Sequence, residues 1–248
     1  MTGVQTCALP ISYVEDRSVF DKPEPQPDFV GKYGEHPDQV FDVFRGGSQA
    51  ILLIHGGYWR PEYDRKHLRN FAQAFAKLGY TVISIEYRRI PGSPDSMVSD
   101  IKDGITYLNN KYGDLIVIGH SAGGHLALWA AENVKGIKKI IALAPVGDLA
   151  TVDARDLDKS AAREFLGVPA TARPDLDPMT LSLMGIPTTV IHGELDIWVP
   201  LDIAHNYVQR KKVQGEPLNY VELAGIGHFE MIDCDSVVWP HIVKELSF

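Results

Sequence analysis

The sequence is poor in cysteine, has no excess of basic residues and contains no long apolar run. Its two cysteines, Cys7 and Cys234, form no C-x-x-C pair, and their spacing indicates neither a disulfide nor a metal site. Acidic residues outnumber basic ones by 32 to 24, and the net charge of -8 argues against nucleic acid or an anionic membrane as a partner. No apolar stretch is long enough to span a bilayer and we find no secretory leader pattern, so we expect a cytoplasmic protein.

Motifs for metals and cofactors are also missing. There is no H-E-x-x-H sequence, and His120 and His125 lie five residues apart, which is a poor spacing for one helical face. The glycines of residues 119–124 do not have the G-x-G-x-x-G spacing of a dinucleotide site. We therefore predict neither a metal nor a cofactor, and we expect the partner to be a small molecule. Nothing in the sequence indicates an oligomeric state.

The first eleven residues, MTGVQTCALPI, need a separate explanation. They can be encoded by a common short-read sequencing adapter that is read in frame with GTG as the start codon. We hypothesise that residues 1–11 come from an untrimmed metagenomic assembly and are not native, which makes Cys7 accidental. The fold is therefore sought in residues 12–248.

Short apolar runs alternate with amphipathic segments from residue 50 onward. Apolar residues at helical spacing, such as Leu68, Phe71 and Phe75, lie between the runs. Strands that alternate with helices predict an α/β fold, with a mostly parallel central sheet and helices on both of its faces. The apolar runs that we predict to be strands are residues 50–54, 81–85, 115–118, 137–143, 188–191 and 219–223.

Two segments depart from this alternation. Residues 12–47 are rich in Pro, Asp and Gly, and they predict an entry arm followed by an edge hairpin with a strand at 40–44. Residues 150–187 are polar and lie between two predicted strands, which predicts a small cap insertion with a helix at 160–166. We expect this cap to be part of a single α/β domain over residues 12–248.

The strongest chemical signal is Gly119-His120-Ser121-Ala122-Gly123, a G-x-S-x-G motif that follows a predicted strand and opens a predicted helix. A serine hydroxyl is a poor nucleophile and has to be presented at a sharp turn, where its backbone is strained. Gly119 and Gly123 lack Cβ, so the strand and the helix can pass closely around that turn. In this context the motif predicts that Ser121 is a nucleophile and that the chain has the α/β-hydrolase fold.

The glycine-rich loop HGGYW (residues 55–59) follows the first buried strand. An α/β-hydrolase places a backbone N–H of its oxyanion hole in this loop, and a second N–H comes from the residue after the nucleophile. We therefore predict an oxyanion hole formed by Gly57, Tyr58 and Ala122. His55 is expected to brace the loop rather than take part in the chemistry.

The partners of the nucleophile are expected after later strands, in the chain order serine, acid, histidine that this fold uses. Asp196 follows the strand predicted at 188–191 and is favoured as the acid, while Glu194 remains the alternative. His228 lies in a glycine-containing loop at 225–229, after the last predicted strand, and is predicted to be the base. The histidines that we expect to pack in the interior or lie at the surface are His120, His125, His192 and His205.

HGGYW at 55–59 and GHSAGG at 119–124, followed by HGELD and GH further along the chain, resemble the motifs of one branch of the α/β-hydrolases. This branch comprises kynurenine formamidase (arylformamidase) and related esterases. The resemblance extends from about Tyr33 to the C-terminus. It implies Ser121, Asp196 and His228 as a catalytic triad, with the HGGYW loop serving the oxyanion hole.

Aromatic residues stand next to three of the predicted catalytic segments. We predict that Trp59, Trp198 and Phe229 wall a substrate pocket suited to an aryl group. The sequence leaves open an aryl-formamide hydrolase and a general carboxylesterase for small acyl esters. A catalytically inactive ligand-binding protein is a third possibility, against which the presence of both Ser121 and His228 argues.

Overall fold

The computed structural model describes residues 14–247, so the hypothesis about residues 1–11 and Cys7 lies outside the described residues. Eight strands form one sheet. The strands are β1 (Phe29–Lys32), β2 (Val40–Phe44), β3 (Ala50–Ile54), β4 (Thr81–Ile85), β5 (Leu115–His120), β6 (Ile137–Leu143), β7 (Thr188–Gly193) and β8 (Leu218–Leu223).

The sheet is parallel except at one edge. β1 and β2 form an antiparallel hairpin, and β2 pairs antiparallel with β4, whereas the pairings from β4 through β3, β5, β6 and β7 to β8 are parallel. The strand order is β1-β2-β4-β3-β5-β6-β7-β8. The predicted α/β fold with an edge hairpin is therefore confirmed. β5 and β7 continue two residues beyond their predicted ends, into the motifs that carry the candidate site.

Helices connect the parallel strands. Among residues 14–247, no helix is both long enough and apolar enough to cross a membrane. The α-helices are α1 (Arg69–Lys77), α2 (Pro94–Tyr112), α3 (Ala122–Asn133), α4 (Leu149–Ala154), α5 (Leu157–Leu166), α6 (Leu201–Val213) and α7 (Trp239–Lys244). Short 3-10 helices cover Ser18–Asp21, Arg65–Leu68, Ala170–Ala172, Pro174–Leu176 and Phe229–Ile232.

The sheet separates two apolar cores, as the alternation of side chains along a strand requires. In the fully buried strand β3, Ala50, Leu52 and Ile54 pack into the core that contains residues of α2 to α6. Ile51 and Leu53 point to the other face, where the core contains residues of α1 and α7. Burial on both faces explains why β3 is a continuous apolar run in the sequence.

The segment predicted to form a cap, residues 150–187, contains most of α4, the whole of α5 and two of the 3-10 helices. The helix predicted at 160–166 corresponds to the regular part of α5, which begins one residue later, after positive φ angles at residues 158–160. α5 packs beside the candidate site, since the Phe165 ring stacks on the Trp59 ring with centroids 4.6 Å apart.

Candidate active site

Ser121 occupies the turn between β5 and α3. Its φ of 56° and ψ of -120° lie in a region that is costly for a residue with a Cβ, and its side chain is almost completely buried. The Ser121 N–H donates to the Leu143 carbonyl oxygen at 2.9 Å, and the N–H of His125 donates to the Ser121 carbonyl oxygen at 3.0 Å. These hydrogen bonds hold a strained turn of the kind that presents a nucleophilic serine.

Two glycines allow this turn to be so tight. A Cβ on Gly119 would lie 2.2 Å from the carbonyl oxygen of Gly123, and a Cβ on Gly123 would lie 2.1 Å from the carbonyl oxygen of Ile54. Both contacts are with backbone atoms, which cannot move aside as a flexible side chain does. The close approach that the sequence predicts at Gly119 and Gly123 is therefore present in the structure.

His228 and Asp196 are joined by a hydrogen bond of 2.6 Å between Nδ1 and Oδ2. The other carboxylate oxygen of Asp196 accepts the N–H groups of Trp198 at 2.9 Å and Val199 at 2.8 Å. Of the two acids that the sequence left open, Asp196 is therefore the one beside His228. Glu194 instead accepts the N–H of Gly225 at 3.0 Å and so supports the loop before the histidine.

Burial controls the electrostatics of this pair. It lowers the pKa of the His228 imidazole to about 3, so the ring is neutral at neutral pH and can accept a proton. Burial raises the pKa of the Asp196 carboxyl, while His192 and the two backbone N–H groups that Asp196 accepts oppose the rise. His192 Nε2 lies 3.4 Å from Asp196 Oδ2 and 2.8 Å from the Val199 carbonyl oxygen, so it helps to hold the acid in place.

Ser121 and His228 line the same cavity. In the described chain the hydrogen bonds of His228 go to Asp196, His120 and Glu15, and none joins it to the Ser121 hydroxyl. Contacts between a nucleophile and its base are often long without substrate and shorten in the reacting complex. The structure thus brings His228 and Asp196 into direct contact and places Ser121 on the wall beside them.

The loop after β3 is shaped to expose backbone N–H groups. Gly57, Tyr58 and Trp59 have positive φ angles of 110°, 50° and 58°. Within the described residues, the N–H groups of Gly57, Tyr58 and Ala122 donate no hydrogen bond. Gly57 and Tyr58 also line the cavity, and Ala122 begins α3 directly after Ser121. The predicted oxyanion-hole residues therefore lie at or beside the cavity that Ser121 lines, and their N–H groups are unpaired within residues 14–247.

His55 braces this loop, as the sequence predicts. Its Nδ1 lies 2.7 Å from the Gly56 carbonyl oxygen, and its Nε2 lies 2.9 Å from Oε1 of the buried Glu86. The ring stacks on Tyr87 with centroids 4.5 Å apart, and the Tyr87 hydroxyl donates to the His55 carbonyl oxygen. Because both ring nitrogens already lie within hydrogen-bond distance of protein oxygen atoms, His55 has a structural role.

Other histidines also have structural contacts. His120 Nε2 lies 3.1 Å from the His228 carbonyl oxygen, and His125 Nε2 lies 2.8 Å from the Leu176 carbonyl oxygen. His205 pairs with Glu222 at the surface, at 2.7 Å.

The cavity in front of Ser121 is mostly aromatic. Trp198 and Phe229, which follow Asp196 and His228 closely in sequence, both line it. Trp59 lies elsewhere. Its side chain lies against α5, where the ring stacks on Phe165 and Nε1 donates to His125 Nδ1 at 3.2 Å. The lining residues are Phe20, Gly56, Gly57, Tyr58, Tyr63, His67, His120, Ser121, Trp198, His228, Phe229 and Ile232.

The arm before β1 also contributes to this cavity, which the sequence did not indicate. The Phe20 ring packs edge-on against Phe229, with centroids 5.0 Å apart. The Arg17 guanidinium lies 5.1 to 5.5 Å from the ring centroids of Phe20, Trp198 and Phe229. Tyr63, His67 and Ile232 are further lining residues that carry no recognisable sequence motif.

One group of possible metal donors is present among residues 14–247. Asp233, Cys234 and Asp235 each place a donor atom within 4.8 Å of the others. The Lys22 ammonium bonds to both carboxylates, at 2.7 Å in the case of Asp235, and so supplies the positive charge there. This group lies outside the lining of the cavity that contains Ser121.

Comparison with known proteins agrees with this geometry. The profile of the BD-FAE family matches residues 43–210, which is more than half of the chain. Esterase LipC of Mycobacterium tuberculosis is 26% identical over 81% of this chain and 59% of its own length. Kynurenine formamidase of Meyerozyma guilliermondii is 34% identical over 39% of this chain and 40% of its own length, and that of Danio rerio is 31% identical over 38% and 35%. The chain therefore spans little more than half of the esterase and less than half of either formamidase.

Solved structures of esterases share the fold. A truncated carbohydrate esterase from gut microbiota has a TM-score of 0.74 at 17% identity, covering 90% of this chain and 96% of its own. Esterase B from Lactobacillus rhamnosis (HN001) has a TM-score of 0.73 at 18% identity, covering 92% and 87%. The resemblance to esterases and kynurenine formamidases that the motifs predicted is thus confirmed. With a profile match over most of its sheet and helices, the chain belongs to the BD-FAE family and has the α/β-hydrolase fold.

Proposed function

We propose that the chain is a serine hydrolase that cleaves a small-acyl ester or an aryl formamide through an acyl-enzyme on Ser121. The observation that carries the proposal is the 2.6 Å hydrogen bond between His228 and Asp196, on the wall of the cavity that Ser121 also lines. Similarity to an esterase and to kynurenine formamidases supports hydrolysis of this kind of bond.

In the proposed reaction, His228 Nε2 takes the proton of Ser121 Oγ as that oxygen attacks the carbonyl carbon of the substrate. The oxyanion that forms accepts hydrogen bonds from the N–H groups of Gly57, Tyr58 and Ala122. Each such donor typically contributes about 2.7–4 kcal/mol to stabilising the transition state. Asp196 fixes the ring so that Nε2 faces the serine, and it stabilises the imidazolium while the proton is held there.

The tetrahedral species then collapses and breaks the bond to the leaving group. His228 gives the proton to the departing alcohol oxygen or amine nitrogen, and the acyl group stays on Ser121 Oγ. A water molecule attacks the acyl carbon while His228 accepts one of its protons. Cleavage of the acyl–Ser121 bond releases the acid, and His228 returns the proton to the serine.

The aromatic lining suits an aryl leaving group. Phe20, Trp198 and Phe229 present three rings to the cavity, and aromatic rings pack well against one another. An aryl formamide is easily cleaved for an amide, because its nitrogen lone pair is shared with the ring and its formyl carbon is unhindered. The same residues and steps therefore serve both an aryl ester and an aryl formamide.

A general carboxylesterase without a formamidase role is the second candidate. It is favoured by the extent of the similarities, because esterase LipC aligns with 81% of this chain and the formamidase of Meyerozyma guilliermondii with 39%. A catalytically inactive binding protein on this fold is the third candidate, and the contact between His228 and Asp196 argues against it.

Kinetics with two substrates test the proposal. We expect the wild-type protein to hydrolyse p-nitrophenyl acetate and N-formylkynurenine, and Ser121→Ala to lower kcat/KM for both by about 10⁴-fold or more. A fluorophosphonate probe should label the wild type and not Ser121→Ala. If the wild type hydrolysed the ester but not the formamide, the protein would be a general carboxylesterase. If the wild type showed neither labelling nor turnover, the catalytically inactive binding protein would be favoured.

A further inference from the structure

Glu15 is a buried acidic residue that the proposed mechanism does not use. It is 7% exposed, although it belongs to the polar arm before β1. Its Oε1 accepts the backbone N–H groups of His228 and, at 3.3 Å, Phe229. Within residues 14–247 its Oε2 has no hydrogen-bond partner. Burial of a carboxylate with an unpaired oxygen is unfavourable for folding, so its position is better explained by function.

His228 is held from three directions. Its N–H donates to Glu15, its carbonyl oxygen lies 3.1 Å from His120 Nε2, and its ring nitrogen Nδ1 lies 2.6 Å from Asp196 Oδ2. The contact with Asp196 alone leaves the ring free to pivot about Nδ1. The two backbone contacts fix the Cα–Cβ direction of His228 and therefore decide where Nε2 points.

The loop before His228 does not supply this rigidity itself. β8 ends at Leu223, and the exposed Gly225 has a φ of 72°. Gly227 follows, and a segment with two glycines has many accessible conformations. Hydrogen bonds from outside the loop therefore select one of them. Glu194 accepts the N–H of Gly225 at 3.0 Å and the Leu195 N–H donates to the Ile226 carbonyl oxygen at 2.8 Å, while Glu15 accepts the N–H of His228 itself.

The arm that carries Glu15 is anchored to the same part of the chain. Lys22 bonds to Asp233 and Asp235, just after the 3-10 helix that follows His228. On the same side, the Phe20 ring packs edge-on against Phe229. These contacts fix the arm relative to the segment that Glu15 supports.

We propose that Glu15 is a positioning residue, which holds the backbone of His228 so that Nε2 faces Ser121. This inference rests on the proposed function. It makes the arm before β1 part of the active site, even though the arm contains no catalytic motif.

The test compares Glu15→Ala and Glu15→Gln with the wild type. Alanine removes the acceptor, whereas glutamine keeps an oxygen at the Oε1 position. For p-nitrophenyl acetate we expect Glu15→Ala to lower kcat by about 10- to 100-fold with KM changed by less than about twofold, because small displacements of a catalytic group have effects of this size. Glu15→Gln should restore kcat to within about threefold of the wild type. Asp16 is an exposed acid on the same arm, and it accepts the Ser18 N–H at 2.9 Å. Asp16→Ala is therefore the matched control and should leave kcat unchanged.

The rate of fluorophosphonate labelling provides a second readout, since it reports the reactivity of Ser121 independently of the substrate. A folded Glu15→Ala protein with wild-type kcat and labelling rate would overturn the inference, and so would a kcat for Glu15→Gln as low as that for Glu15→Ala. If Glu15→Ala does not fold, Glu15→Asp replaces it with the same expectation, since its shorter carboxylate is drawn back from both N–H groups. If Ser121→Ala still hydrolysed the substrate, the proposed function itself would be contradicted. If Ser121→Ala lost hydrolysis while Glu15→Ala kept the wild-type kcat, only the role of Glu15 would be contradicted.

Discussion

Replacing Glu15 with glutamine measures what a buried charge costs this fold. Burial raises the pKa of Glu15 from 4.5 to about 7. The N–H groups of His228 and Phe229 oppose that rise, and the nearby carboxylates of Asp196 and Glu230 add to it. Glutamine has nearly the same shape and keeps one acceptor oxygen, but it cannot ionise.

The sign of the effect follows from proton binding. Because the Glu15 pKa is higher in the folded chain, the folded state binds more protons than the unfolded state between about pH 4.5 and 7. The stability that comes from this group is therefore fully present below pH 4.5 and is lost as the pH rises through 7. A shift of this size corresponds to about 3 kcal/mol when the loss is complete.

Urea unfolding at pH 4.5 and pH 8 is the appropriate assay, because urea carries no charge that would screen the carboxylate. The difference in unfolding free energy between Glu15→Gln and the wild type should shift in favour of the variant by about 3 kcal/mol from pH 4.5 to pH 8. Asp16→Asn removes an exposed carboxyl of the same arm, whose pKa is lowered by hydrogen bonds from Ser18, and it should not reproduce this shift. If the wild type and Glu15→Gln had the same pH dependence, the pKa of Glu15 would not be raised by burial in the folded protein.

Three further outcomes can be measured. Asp196→Asn should lower kcat by about 10³- to 10⁴-fold, because an amide does not hold the His228 ring in the required tautomer. Glu194→Gln is the control, and its kcat should stay within about threefold of the wild type. Equal losses of kcat in both variants would contradict the assignment of Asp196 as the acid. Since burial lowers the pKa of His228, the acidic limb of kcat/KM, measured between pH 4 and 9, should have its midpoint below pH 6.5. A midpoint above pH 6.5 would show that the pKa of His228 is not lowered in the free enzyme. Phe165→Ala removes the ring stacked on Trp59 and should cost about 3–5 kcal/mol in urea unfolding, and a loss below about 1 kcal/mol would show that the contact is not a packed one.

The sheet and the turn that carries the serine were predictable because their signals are local. β3 is buried on both faces, so it reads as an unbroken apolar run. The turn at Ser121 needs glycine on both sides for steric reasons, so it leaves a motif of five residues. Once the strands were placed, the chain order that this fold uses pointed to Asp196 and His228, and these two side chains are in contact.

The substrate side of the site was less predictable, because it depends on contacts between distant parts of the chain. Glu15 and His228 are 213 residues apart in sequence, and nothing in the polar arm around Glu15 marks it as buried. Trp59 and Tyr58 are neighbours in sequence, yet only Tyr58 lines the cavity, because the Trp59 ring stacks on Phe165, which is more than 100 residues further along the chain.

The backbone contacts of Gly119 and Gly123 bear on how this protein can be altered in the laboratory. A library that randomises the whole G-x-S-x-G motif would consist largely of chains that cannot close the turn, since any side chain at either glycine collides with a carbonyl group. Diversity is better placed at Phe20, Trp198 and Phe229, whose rings face the cavity and are only partly buried or exposed. Selections for new ligands can then vary the wall of the cavity while the turn that carries Ser121 stays constant.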